Sequence, residues 1–163
     1  MRLSDLNKEY DKLQKIYGDI NLHSIYNGGC EENPDICFVF MNPTGKNIAS
    51  LPNWEGHYYP WLGTKNIWDL FYQVSLLDED IYLEIKRIKG SEWTVDFSEK
   101  VYDSIASHKV FITNLGKCTQ IDARPLTNSY FFDYLPLLEK EIKSMTFVGN
   151  IRNSGIVMDR FLG

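Results

Sequence analysis

The sequence predicts an α/β fold, a three-layer α/β/α domain around a central, mainly parallel sheet, on three observations. Ile36-Cys37-Phe38-Val39-Phe40-Met41 is an unbroken apolar run of strand length, the pattern of a strand buried on both faces. Val110-Phe111-Ile112-Thr113 is a second such strand. Segments with helical spacing precede, separate and follow the two, as a sheet covered by crossover helices requires. One domain over residues 1–163 holds all of this. With 44% of its residues hydrophobic the chain buries a sizeable core, and no repeat, low-complexity tract or linker divides it.

The elements follow in order. Leu3, Leu6, Tyr10, Leu13 and Ile16 recur at three and four residues and line one helix face, with Gly18 as the stop. Pro34-Asp35 breaks the chain before the first strand. Asn42 to Gly63 is a long loop of Pro, Gly, Trp and Tyr without a steady period, and loops of that length are usually functional. Thr64 is a suitable N-cap for a helix with Ile67, Leu70, Phe71 and Val74 on one face. Asp78 to Lys89 is charged and amphipathic, Gly90-Ser91 punctuates it, and Phe97, Val101 and Ile105 mark another helix ending near His108. After the second strand comes a polar turn, Asn114 to Pro125, then a helix carrying Tyr134, Leu135, Leu138 and Ile142. Pro136 places the first turn of that helix around Asp133. Met145 to Val148 reads as a third strand turning at Gly149-Asn150, and Ile156 to Leu162 as a last helix.

Charge and composition narrow the function. Seventeen basic against twenty-two acidic residues leave a net charge of −5, which excludes nucleic-acid binding by bulk charge and confines any such contact to a local patch. Three cysteines without disulfide spacing fit a reducing compartment, so the cytoplasm is expected; no apolar stretch is long enough for a membrane span. Oligomeric state is not legible. His23, His57 and His108 have no metal-ligand spacing with the cysteines or carboxylates, so no metal is expected; His57, in the long loop, is a possible substrate neighbour or a surface histidine.

In a parallel sheet, ligands gather where loops leave the carboxyl ends of strands. Asn42, in Phe40-Met41-Asn42-Pro43-Thr44-Gly45, stands at such an end, where its carboxamide can hold a water or a substrate oxygen. Met41 and Pro43 flank it. Asparagine before proline also opens ordinary turns. Tyr59 and Trp61 are large aromatics in the same loop, able to stack on a planar ligand or to anchor the loop. Asn114 ends the second strand, where it can read a polar edge or cap the turn. Lys46, Lys65, Lys117 and Arg124 lie in the two loops as candidate phosphate contacts or solvated charges.

Three pieces in this order, Phe40 to Gly45, then Gly63-Thr64-Lys65-Asn66-Ile67-Trp68, then Ile112-Thr113-Asn114-Leu115-Gly116-Lys117-Cys118, resemble the uracil-DNA glycosylase superfamily over about Asp35 to Asn150. The first motif is similar to the Asn-Pro version of the mismatch-specific branch. The resemblance implies a DNA glycosylase that hydrolyses the N-glycosidic bond of uracil or a related damaged base. It casts Asn42 as the residue that positions water at C1′, Trp61 as the preferred stacking aromatic and Asn114 as the reader of the base edge. The chemistry is consistent with these types: an extruded base is held by stacking and edge hydrogen bonds, and a carboxamide pairs with the O4 acceptor and N3 donor of uracil.

The pattern is incomplete. The superfamily's histidine- or asparagine-led Pro-Ser loop, which stabilises the departing base, is not recognisable in Ile151 to Gly163. Either the chain is a fragment, with its sheet incomplete at the C-terminal side, or the loop is lost, at about 10²–10³ in rate. Some branches hold an iron–sulfur cluster on four thiolates; Cys30, Cys37 and Cys118 are too few, so no cofactor is expected although Cys118 resembles one ligand position. The expected partner is DNA carrying uracil or another damaged base, held by weak local contacts. The alternative is a catalytically weak or inactive nucleobase- or nucleotide-binding module of the same fold.

Overall fold

The computed structural model describes residues 2–43, 45–121 and 127–145, together with the backbone of 155–158. In chain order the elements are a 3-10 turn Leu3–Leu6 running into α1 (Asn7–Tyr17), β1 (Gly28–Gly29), β2 (Ile36–Phe40), α2 (Asn66–Gln73), α3 (Glu79–Arg87), α4 (Val95–Ser107), β3 (Val110–Asn114), α5 (Asn128–Met145) and β4 (Gly155–Met158). The fold is α/β. Its sheet has the order β1-β3-β2-β4; β2 runs parallel to β3 and to β4, and β1 pairs antiparallel with β3.

The apolar runs of β2 and β3 send alternate side chains to opposite faces, and both faces are buried. Phe38, Phe40, Val110 and Ile112 pack with Trp68 and Phe71 of α2, Ile85 of α3 and Tyr102 and Ile105 of α4. Cys37, Val39 and Phe111 pack with Tyr10 of α1 and Tyr130, Tyr134 and Leu138 of α5. Each large side chain buried in this way contributes about 1.5–3 kcal/mol. The helices show why they form: α4 starts where the Thr94 side chain accepts from Phe97 N at 3.0 Å, and buries Ser98, Val101, Tyr102 and Ile105 along one stripe.

Five expectations are corrected. Ile16 is 69% exposed; the buried face of the first helix is Leu6, Tyr10 and Gln14, and Gln14 brackets Thr119, accepting from its N at 2.8 Å and donating to its O at 3.0 Å. Thr64 does not cap α2: its Oγ1 donates to Trp61 O at 2.7 Å, and Val74 beyond the helix end is half exposed. Pro136 lies inside α5 and does not start it. The buried series Tyr130, Tyr134, Leu138, Glu141 and Met145 sets that helix's face, while Pro136 and Phe132, one turn before, are both exposed, so the hydrogen bond lost at proline falls on the water side.

The remaining two concern the sheet. Met145 ends α5, and the rest of the strand expected over Met145 to Val148 lies outside the described residues; β4 is a further parallel strand that overlaps the span Ile156 to Leu162 expected to be helical. The sheet also has an antiparallel edge. β1 is two glycines because nothing larger fits: a Cβ on Gly28 would sit 2.4 Å from the Tyr59 ring, and Gly29 has φ +109° with Val110 O 2.2 Å from where its Cβ would be. Among the described residues no helix is long and apolar enough to cross a membrane.

Candidate functional site

Phe40 and Asn114 are register partners at the carboxyl ends of two adjacent parallel strands, so the loops they begin leave the sheet side by side. Leu115 N donates to Phe40 O at 2.7 Å and Gly116 N to Met41 O at 2.8 Å, continuing the pairing one step past the strands. Above this edge lies a cavity of about 250 Å³, walled by Asn42, Pro43 and Lys46 from the first loop, Trp61 to Ile67 in part, and Asn114. That is near the low end of small-molecule sites, about 300–1,000 Å³, and suits a single ring better than a dinucleotide.

Six sequence-predicted residues thus meet in one place: Asn42, Pro43, Trp61 and Asn114, with Lys46 and Lys65. Asn42 is half-buried; its side chain makes one long bond among the described residues, from Nδ2 to Pro43 O at 3.3 Å, which leaves the amide largely available. Asn114 is 2% exposed, and its Oδ1 is buried without a hydrogen-bond partner among the described residues. Trp61 has φ +65°, rare for a bulky residue and costing on the order of 1–3 kcal/mol. Its carbonyl is pinned there by Thr64 N (3.3 Å), Thr64 Oγ1 (2.7 Å) and Trp68 Nε1 (3.2 Å), and its ring stands edge-on to Phe40 at 5.1 Å. The indole N–H is buried and likewise has no partner among the described residues. Buried polar groups are normally paired; these two orphans belong to residues of the cavity wall, and Asn27, Trp93, Tyr130 and Tyr134 carry others elsewhere among the described residues.

The wall is locally cationic in an acidic protein: Lys46 and Lys65 line it and no carboxylate does. Lys46 is exposed, and Lys65 Nζ donates to Lys86 O at 3.1 Å. The first residues of α2 also belong to the wall, which turns the positive end of the helix toward the cavity. Asp69, the acidic residue of that first turn, faces away, accepting from Tyr82 Oη at 2.8 Å and pairing with Lys86 at 3.1 Å.

Other expected residues are elsewhere. Tyr59 does not line the cavity: its ring stacks on Tyr102 at 4.0 Å and its hydroxyl donates to Glu99 at 2.8 Å, so it anchors the loop. Met41 contributes its carbonyl to the strand-end pairing and is likewise not on the wall. His57 is occupied by Asn27 O at 2.9 Å. Arg124 lies outside the described residues. Asn47, Thr64, Asn66 and Ile67 line the cavity without having been anticipated. Asn47 braces the loop, accepting from Ala49 N and donating to Tyr59 O, both at 2.9 Å, and the signal for the other three was their place at a loop-to-helix start.

Lys117 is the clear correction. Expected as a phosphate contact, it is 1% exposed. Its ammonium donates to Thr113 Oγ1 at 2.6 Å and to the main-chain carbonyl of Asn114, and pairs with Glu141, itself fully buried, at 3.2 Å. Glu141 also accepts from the Thr113 and Tyr10 hydroxyls. Burial lowers the Lys117 pKa, and the Glu141 carboxylate opposes that shift. Cys118 next to it is buried among Tyr130 and Tyr134, and burial pushes its thiol up to about 11. No group of three metal-ligating side chains converges among the described residues.

Comparisons of the chain with family models, with curated proteins and with solved structures found no match.

Proposed function

We propose that the chain is a uracil-DNA-glycosylase-like domain of three-layer α/β/α build that takes an extruded pyrimidine into the cavity and hydrolyses its N-glycosidic bond. The observation that carries this reading is the convergence of Asn42 and Trp61, from one long loop, and Asn114, from the adjacent strand end, on one ring-sized cavity. The sheet faces, each covered by its own set of helices, support the layered build. Free Cys30, Cys37 and Cys118 support a cytoplasmic setting.

In this mechanism the Asn42 carboxamide holds a water by hydrogen bonds; it does not act as a base, since an amide neither gains nor loses a proton near neutral pH. Water oxygen bonds to C1′ as the C1′–N bond breaks, the bonding pair leaves with the base, and the water's proton passes to solvent or to the base. Trp61 bears on the ring and the Asn114 amide pairs with the imide edge of uracil. Lys46 and Lys65 supply the local phosphate contacts, so binding is weak and salt-sensitive.

A second reading, a binding module with little or no chemistry, is favoured by the histidines. None lines the cavity: His23 stacks on Tyr58 at 4.5 Å, His57 is held by Asn27, and His108 Nε2 lies 2.8 Å from Asp78. No imidazole among the described residues is therefore placed to receive the departing base's charge. Uracil release from single-stranded and mismatched oligonucleotides, measured beside a titration with free uracil, separates the readings. Asn42→Ala is expected to lower release by about 10²-fold with an unchanged melting temperature. Equal release by that variant removes Asn42 from the mechanism; binding without release selects the module; neither binding nor release rejects both.

A further inference from the structure

We propose that Lys117 is a positioning residue for Asn114, its buried ammonium fixing the peptide that carries the base-reading amide. This rests on the reading above, in which Asn114 meets the base edge. β3 ends at Asn114, beyond the reach of the β1 pairing at Gly28–Ile112, so the Asn114 carbonyl has no strand partner on that side. Lys117, three residues on, folds back and donates to it. The two remaining ammonium protons go to Thr113 Oγ1 and Glu141, so all three donors are spent at the end of one strand. The turn between is pinned from the other side by Leu115 N on Phe40 O and Gly116 N on Met41 O, and the Lys117 carbonyl accepts from Ile25 N at 2.8 Å.

Stability alone is a poor reason for this arrangement. A buried ion pair is commonly no better than apolar side chains of the same volume, because both charges must leave water. An apolar residue at 117 would fill the space but leave the Asn114 carbonyl buried without a donor, its peptide held on the Leu115 N side alone. A displacement of about 1 Å at a reading group costs up to about 10²-fold. The charge is thus kept where it orients the cavity wall, and Glu141, with the Tyr10 hydroxyl behind it, keeps that charge tolerable.

The test compares dissociation constants for free uracil and free cytosine in three proteins. The double variant Lys117→Met/Glu141→Gln removes both charges at nearly constant volume and is expected to fold, while the uracil-over-cytosine preference falls by about tenfold or more. Tyr10→Phe removes a hydrogen bond from Glu141 but keeps the ring whose centroid lies 5.1 Å from the Lys117 ammonium, and is expected to lower the melting temperature while keeping the preference. A folded double variant with full preference overturns the positioning role. So does a Tyr10→Phe protein whose preference falls with its stability, for then any loss in this core acts on the site, and that outcome overturns the role even where the double variant does not fold. A wild-type protein that distinguishes the two bases in neither arm removes the reading of Asn114 itself.

Discussion

Thr113 and Asn114 are neighbours on one strand, yet they face two polar regions built on opposite principles. On the Thr113 side, Tyr10, Lys117 and Glu141 form a closed set in which hydroxyl, ammonium and carboxylate are all matched and none reaches water. On the Asn114 side, the buried oxygen of that residue and the Trp61 indole N–H have no partner among the described residues, and both residues line a cavity. Tyr10, Thr113, Lys117 and Glu141 are fully buried, whereas Asn42 and Trp61 on the other side are half-buried. Saturation is the usual state of buried polar groups, and the proposed function draws on its lack beside a cavity.

The contrast breaks most visibly at Lys117. Lys117→Met alone leaves Glu141 buried and uncompensated, and is expected to cost about 3–5 kcal/mol in urea unfolding. Removing an unmatched group should do the reverse. Asn114→Ala is expected to leave stability within about 1 kcal/mol of wild type, or to raise it, while weakening uracil binding by about tenfold or more, as read by calorimetric titration beside thermal melts. A large loss of stability in that variant would mean the amide is a structural brace after all.

Two smaller effects sharpen the same distinction at the surface. Lys46→Ala is expected to change stability by less than about 0.5 kcal/mol and to lower the slope of log affinity for single-stranded DNA against log salt by about one. Asp78 is a surface counterpart of the buried pair: the His108 hydrogen bond first, then Ser104, holds its carboxyl below the usual range. It therefore adds stability above the ordinary carboxylate pKa that is lost as pH falls through its folded value. The side chain is half exposed, so solvent screens the pair and Asp78→Asn should cost under about 1 kcal/mol at pH 7. Melting temperatures taken down the acid side should show the two proteins converging.

The strands and the cavity edge were legible in the sequence for one reason: a strand buried on both faces leaves an unbroken apolar run, and the residue ending that run stands at the sheet's carboxyl edge. Asn42, Asn114 and the nearby Trp61 followed from that rule. Lys117 was not legible, since a lysine four residues past a strand looks solvated and its partner Glu141 sits on a helix far along the chain. Gly28–Gly29 carries no side chains and hence no period, although backbone pairing alone makes it a strand. Pro136 misled because a proline is read as a helix start, whereas its missing donor costs little on a water-facing turn.

The alternation of side chains along the last two residues of β3 separates what the protein can change from what it must keep. On the proposed reading, drift at position 114 alters which molecule is welcomed, whereas drift at 113 unsettles the scaffold and, through Lys117, the setting of its neighbour as well.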